Sequence, residues 1–338
     1  MFSANSIGSF FNYFIFYIVG FVLGSYGGLF SEASGIINIA LEGSMVVGGF
    51  FGLIFLQGMA QWCAGSWLVT TMGGLVIVYL LGTIISIIVG LLFSFLLSFV
   101  SNKLKADQTI VGTALNTLAI AICTIINTQI TGKDSPETAN NLFSSVLQIK
   151  TGNVFFDNMF SGLNISVLIG FVLIVVLWVV LSKTRFGLRL RACGENPAAA
   201  DSVGINVNRM RYIGTAIGSA SAALAGFIIF SCMPIGVWQI DALGYGFLVL
   251  AIEIFGNWKQ TNIIFCSLFF AFFFAFAPIF ISTAFSDPSF AGIRNTIFGQ
   301  KAFYYLLPYL LALITLIIFS KKSRAPKAEG IPYDKSSR

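Results

Sequence analysis

Long apolar runs separated by short polar connections make up most of the chain. The runs occupy residues 10–29, 36–56, 67–100, 109–130, 165–181, 212–233, 243–255, 263–281 and 304–319. The hydrocarbon core of a bilayer is about 30 Å thick and takes roughly 20 apolar residues per helix. Membrane barrel strands would alternate with a period of two. These runs do not alternate, so helices are expected. The stretch 67–100 would form one helix about 51 Å long at 1.5 Å per residue, beyond an ordinary span. It reads as two spans bent near 79–82 or as one long tilted helix. The expected fold is an all-α integral membrane protein, a bundle of about ten transmembrane helices if the stretch is two spans and nine if it is one. Ten is the preferred count. No charged segment precedes the first run, so a retained helix is expected there rather than a cleaved leader.

Composition supports this reading. Of 338 residues, 57% are hydrophobic and only 9% charged. Soluble domains carry about 25% charged residues, and a chain this poor in charge cannot cover a water-facing surface. Histidine is absent, which removes imidazole catalysis, imidazole metal sites and imidazole proton relays together. The five cysteines are scattered without a paired motif and read as small apolar residues. No GxSxG, HExxH or paired intramembrane aspartates occur, and no Gly-rich phosphate loop ends in Gly-Lys-Ser/Thr. The chain therefore cannot cradle ATP by that route, and an intramembrane enzyme is disfavoured.

Lysine and arginine assign the sides. With the basic loop 183–211 inside, Lys103, Lys105, Lys259 and the basic tail 321–338 also fall inside. Of 19 Lys and Arg, only Lys133, Lys150, Arg294 and Lys301 fall outside. The C-terminus is then cytoplasmic, and the net charge of +6 needs no nucleic-acid partner. Residues 1–320 read as one transmembrane unit. The tail is expected at the membrane surface or disordered.

Small residues recur every four positions: Gly20, Gly24, Gly28; Gly82, Ser86, Gly90, Ser94, Ser98; Gly218, Ala222, Gly226. That spacing lets helix backbones approach closely. Polar residues inside apolar runs are the stronger functional signal, since an intramembrane charge costs at least about 2.5 kcal/mol on insertion scales. Asn38 and Glu42 are four apart, and the glycines before them point to a broken helix that could offer backbone donors to a polar solute. Asn116 lies mid-run. These three are candidate substrate-pathway residues, and Glu42 fits an inter-helix structural role equally well. Glu253, near the end of its run, reads as structural.

The loop 183–211 is long but not of low complexity. Asn196 is placed to cap a helix with Pro197 at its first position, Ala198, Ala199 and Ala200 propagate it, and Gly204 ends it. A short helix with small exposed residues suits docking into a partner's groove. The flanking arginines read as topology signals.

Four segments together carry a family resemblance. RACGENPAAADSVGI (191–205), GLFSEASGIINIALEG (28–43), ADQTIVGTALN (106–116) and FYYLLPYLL (303–311) resemble, in the same order, motifs of ATP-binding-cassette importer permeases of the branched-chain amino acid, ribose and simple-sugar class. The resemblance is to the nucleoside branch, whose partners are basic-membrane-protein-type lipoproteins. Ala33 stands where the family usually has Arg, and Asp107 where it usually has Asn. The resemblance implies a non-catalytic permease subunit that binds no cofactor itself. Its partners would be a cytoplasmic ATP-binding subunit, a second related permease in a heterodimer, and an extracytoplasmic lipoprotein delivering a small-molecule substrate across the cell membrane. Gly194, Glu195, Asn196, Pro197, Ala199, Ala200 and Gly204 would meet the ATPase. Two alternatives stay open: the same importer class carrying a simple sugar, a branched-chain amino acid or riboflavin, and an ion-coupled secondary transporter using Glu42 and Glu253.

Overall fold

The structure is a computed structural model that describes residues 4–132, 152–160, 164–233, 244–286, most of 306–317, and 324–334. Every regular element among them is helical. The helices are α1 (Ala4–Glu32), α2 (Leu41–Trp62), α3 (Trp67–Thr70), α4 (Met72–Asn102), α5 (Gln108–Thr131), α6 (Val154–Phe160), α7 (Ile165–Lys183), α8 (Arg185–Glu195), α9 (Pro197–Ser202), α10 (Val207–Cys232), α11 (Tyr245–Phe255) and α12 (Gln260–Ser286). Helical residues continue within 306–317. Seven of the described helices, α1, α2, α4, α5, α7, α10 and α12, are long and apolar enough to cross a membrane.

The preferred division of 67–100 into two spans does not hold. After the short α3, residues 72–102 form one continuous 31-residue helix. No proline interrupts it, and the small residues at 82, 86 and 90 pack against α10 instead of bending the chain. The run 243–255 yields α11, whose 11 residues span about 16 Å at 1.5 Å per residue, about half of a bilayer core.

Helix α10 is the hub of the bundle, packed on by α1, α2 and α4. The four-residue spacing of small side chains makes this possible. A Cβ on Gly226 would sink into the Met45 carbonyl of α2, and one on Gly90 would meet Ala223 at 2.5 Å. Ser86 donates to the Ala223 carbonyl at 3.0 Å, and the Ser98 and Thr215 hydroxyls pair. Without a hydrophobic difference between lipid and side chain, such close packing and buried polar pairs hold the helices together.

Four basic segments of the chain meet on one face. Lys105 pairs with Asp334, the Gly194 carbonyl accepts from the Ala328 N–H at 2.8 Å, the Asn257 carboxamide accepts from the Arg324 N–H at 2.7 Å, and the Gly35 carbonyl accepts from the Gly330 N–H at 3.3 Å. Thus the 103–107 connection, the α8–α9 segment and the 257–259 turn share this face with the tail. Residues 324–334 are not a free tail: they lie across the ends of the helices. Lys133, Lys150, Arg294 and Lys301 lie outside the described residues.

Candidate functional site

The break between α1 and α2 is at this basic face, and the end of α1 there is closed on itself. Gly35, at φ +94°, ends α1. The Ile36 N–H returns to the Ser31 carbonyl (3.2 Å) and the Gly35 N–H to Glu32 (2.8 Å), the double closure that satisfies the last turn of a helix. Two donors beyond it are taken by side chains. Ile37 N–H donates to the Gln108 carboxamide at 2.7 Å, and Gly43 N–H to the Asn116 carboxamide at 2.8 Å. Side chains of α5 thus occupy two of the backbone donors at the break, while Ala40, at the start of α2, gives that helix no side-chain cap.

The three pathway candidates converge on this break. Asn116 clamps it from α5, accepting from Gly43 and donating to the Ile39 carbonyl at 3.0 Å. Asn38 precedes α2 and donates to the Ser31 and Ser219 hydroxyls at 3.1 and 3.3 Å. Glu42 turns the other way. Its carboxylate accepts from the N–H groups of Gly244 (2.8 Å), Gly246 (2.5 Å) and Phe247 (3.3 Å), capping the start of α11. An anion at a helix N-terminus meets both unsatisfied donors and the positive end of the helix dipole. Asn38, Glu42 and Asn116 are 0%, 3% and 6% exposed; Glu42 and Asn116 hold backbone groups, and Asn38 holds two serine hydroxyls.

The short helix expected within the basic loop forms as its residues require. Asn196 caps α9 by accepting from Ala199 N–H at 3.1 Å, with Pro197 at the first position. Gly204, at φ +82°, ends the segment, with Gly204 N–H on Asp201 and Ile205 N–H on Ala200. Ala198, Ala199 and Ser202 are exposed, and Val203 is 75% exposed, while Ala200 is buried. Gly194 is buried under the end of α1, where a Cβ would sit 2.5 Å from the Ala33 carbonyl oxygen. Helix α9 thus starts three residues after a glycine packed on the end of α1.

Other residues of this region carry no strong sequence signal. Helix α8 fills the first half of the long loop; Thr184 caps it through Gly187 N–H, and Phe186, Leu190 and Cys193 give it an inward face at helical spacing. Arg211 is not a surface topology signal: it is fully buried beside Gly35 and donates to the Ile331 carbonyl at 3.0 Å. Glu32 accepts from the Trp258 indole N–H, and the buried Glu253 lies beside it. Glu329 of the tail completes this acidic group. Burial, with the nearby Glu32 carboxylate, pushes the Glu329 carboxyl up to about 8. Asp107, where the resembled motif has Asn, caps α5 through the Thr109 and Ile110 N–H groups at 2.8 and 3.1 Å. Both residue types perform that task.

Comparison with known proteins places this architecture. The chain is 32% identical over 326 residues to the guanosine ABC transporter permease protein NupQ of Bacillus subtilis (strain 168), covering 95% of each chain. It is 33% identical over 340 residues to the nucleoside ABC transporter permease protein NupC of Lactococcus lactis subsp. cremoris (strain MG1363), again covering 95% of each. To the nucleoside ABC transporter permease protein NupB of the same Lactococcus strain it is 25% identical over 248 residues, 70% of this chain and 64% of that one. No solved structure is a significant match. The model of the branched-chain amino acid transport system / permease component family matches residues 10–318, and this multi-pass membrane protein belongs to that family.

Proposed function

We propose that the chain is the membrane-spanning permease subunit of an ATP-driven importer for nucleosides. The substrate class rests on one observation: end-to-end similarity, at 32–33% identity, to permeases of guanosine and nucleoside transporters. The structure supplies a physical route for the drive. An exposed helix of small side chains, α9, rises from Gly194, which packs on the Ala33 carbonyl at the end of α1. In this reading Gly194, Glu195, Asn196, Pro197, Ala199, Ala200 and Gly204 form the contact with a separate ATPase subunit, which binds the ATP. The basic face then lies in the cytoplasm together with the C-terminus, as the bias of Lys and Arg favours. Movement at α9 reaches the α1–α2 break through Gly194, and the break carries it to α5 through Asn116 and to α11 through Glu42. Asn38, Glu42 and Asn116 shape the pathway wall in this account and need not touch substrate.

Two permeases of one Lactococcus strain resemble this chain to different degrees, which favours a heterodimer with a second, related permease. An extracytoplasmic lipoprotein would deliver substrate.

Uptake of labelled guanosine, ribose and riboflavin by the reconstituted complex tests the reading. ATP-dependent guanosine uptake is expected. Uptake of ribose or riboflavin without any nucleoside signal would keep the importer and change its substrate. Gradient-driven uptake by the chain alone in vesicles would replace the importer reading with an ion-coupled transporter.

A further inference from the structure

A cavity of about 780 Å³ opens on the basic face, between the ends of α7 and α8, the 257–261 turn and the start of the folded-back tail. Lys183, Arg191, Lys259 and Arg324 line it, with Glu195 as the one carboxylate. These cations come from four separate segments of the chain, and all four side chains are exposed. Among the described residues, the one ion pair is Lys105–Asp334, so none of the four is in a described ion pair and Glu195 offsets one of the four charges at most. Arg191 makes only a long bond, 3.4 Å, to the Gly187 carbonyl of its own helix.

The rest of the lining is apolar. Buried Leu29 and Leu181, exposed Leu188, and Trp178 and Trp258 line it. Tryptophan at the end of a membrane-spanning helix marks the headgroup level, where an amphipathic ring has one side in hydrocarbon and the other in water. Lys183 occupies the last turn of α7. Below it the outer face of that helix presents Phe171, Val172, Val175, Val176 and Val179, all exposed. The cavity therefore joins a concentrated positive charge to a strip of apolar surface running down into the bilayer.

We infer that this cavity binds the phosphate of an anionic phospholipid, with the headgroup held among Lys183, Arg191, Lys259 and Arg324 and the acyl chains lying along α7. The ligand chemistry is a phosphate diester. A free phosphate compound would satisfy the cations but would leave the Leu29, Leu181 and Leu188 wall and the α7 strip unused. Basic pockets between helices at the membrane surface hold such headgroups. Because α8 forms one wall and leads directly into α9, an occupied cavity also fixes the base of the docking helix. The inference concerns lipid in the leaflet on this face and does not rest on the identity of the transported substrate.

The test uses the full chain in neutral detergent and reads bound lipid by native mass spectrometry. Palmitoyl-oleoyl phosphatidylglycerol is titrated against phosphatidylcholine of the same chains, and glycerol phosphate is added in a separate arm. Selective retention of phosphatidylglycerol is expected. Each cation near the surface contributes roughly a fivefold change in affinity, so the double variant Arg191→Gln/Arg324→Gln should bind it roughly 25-fold more weakly. The double variant Arg185→Gln/Arg209→Gln, which removes two exposed cations outside the cavity, should bind as the parent does. All the altered side chains are exposed, and matching melting curves would show that the fold is kept. Equal binding of the two lipids, or equal loss in both double variants, overturns the proposal. Displacement of phosphatidylglycerol by equimolar glycerol phosphate overturns the lipid assignment and makes the ligand a soluble phosphate.

Discussion

The Glu42 carboxylate accepts the Gly246 N–H at 2.5 Å, so a residue at the start of α2 caps a helix more than two hundred positions later in the chain. The same carboxylate also takes Gly244 and Phe247. Removing it leaves three donors of α11 without their acceptor, and each buried unsatisfied group costs about 1–3 kcal/mol. Glu42→Ala should therefore lower the melting midpoint of the purified chain by several degrees, with Glu42→Gln in between. Surviving protein should transport with an almost unchanged KM. A raised KM with an unchanged melting midpoint would make Glu42 a substrate contact instead.

Gly226 meets the Met45 carbonyl with no room for a side chain. Gly226→Ala forces α2 and α10 apart, and overpacking of this kind costs about 1–3 kcal/mol. The expected result is reduced yield of monodisperse protein in detergent, while Gly58→Ala, where a Cβ meets nothing, behaves as the parent. Equal yields would show that the α2–α10 contact adjusts freely.

Asn196 and Pro197 set the start of α9. Pro197→Gly or Ala199→Asp should leave the chain inserted and the ATPase active in the assembled complex, but lower transport roughly tenfold or more, the equivalent of about 1.4 kcal/mol at the contact. Asn196→Ala should act more weakly, since losing a cap costs about 1 kcal/mol. Normal transport by both Pro197→Gly and Ala199→Asp would remove α9 from the mechanism.

Glu329 places a pH-dependent contact in the tail. Its carboxyl is raised from 4.5 to about 8 by burial and by Glu32, and Glu253 stands beside Glu32. A raised acid is neutral when docked. Its contribution is complete below the ordinary carboxylate range and is lost as pH rises through about 8, where ionisation must occur among other carboxyls. Limited proteolysis of residues 324–334, corrected for the protease's own pH profile, should therefore speed up between about pH 5 and about pH 8. Glu329→Gln should flatten that dependence; an unchanged profile in the variant would assign the effect elsewhere.

The helical membrane class, the basic face and the α9 helix were legible in the residues alone because each rests on local or compositional physics. Apolar run length, the count of Lys and Arg, and the Asn196, Pro197 and Gly204 punctuation need no knowledge of neighbours. The continuity of α4 was not legible, since its length alone allowed a bend, and it packs as one helix along both α10 and α2. Nor was the task of Glu42 and Asn116. A polar side chain in an apolar run must have a partner, but the partner can be a solute, a side chain or a distant helix end, and all three look the same in one dimension. Tertiary structure decided for backbone groups of α11 and of the α1–α2 break. It also brought Lys183, Arg191, Lys259 and Arg324 around one cavity, which no spacing along the chain encodes, because their proximity comes from the way α7, α8, the 257–261 turn and the tail close over the end of the bundle.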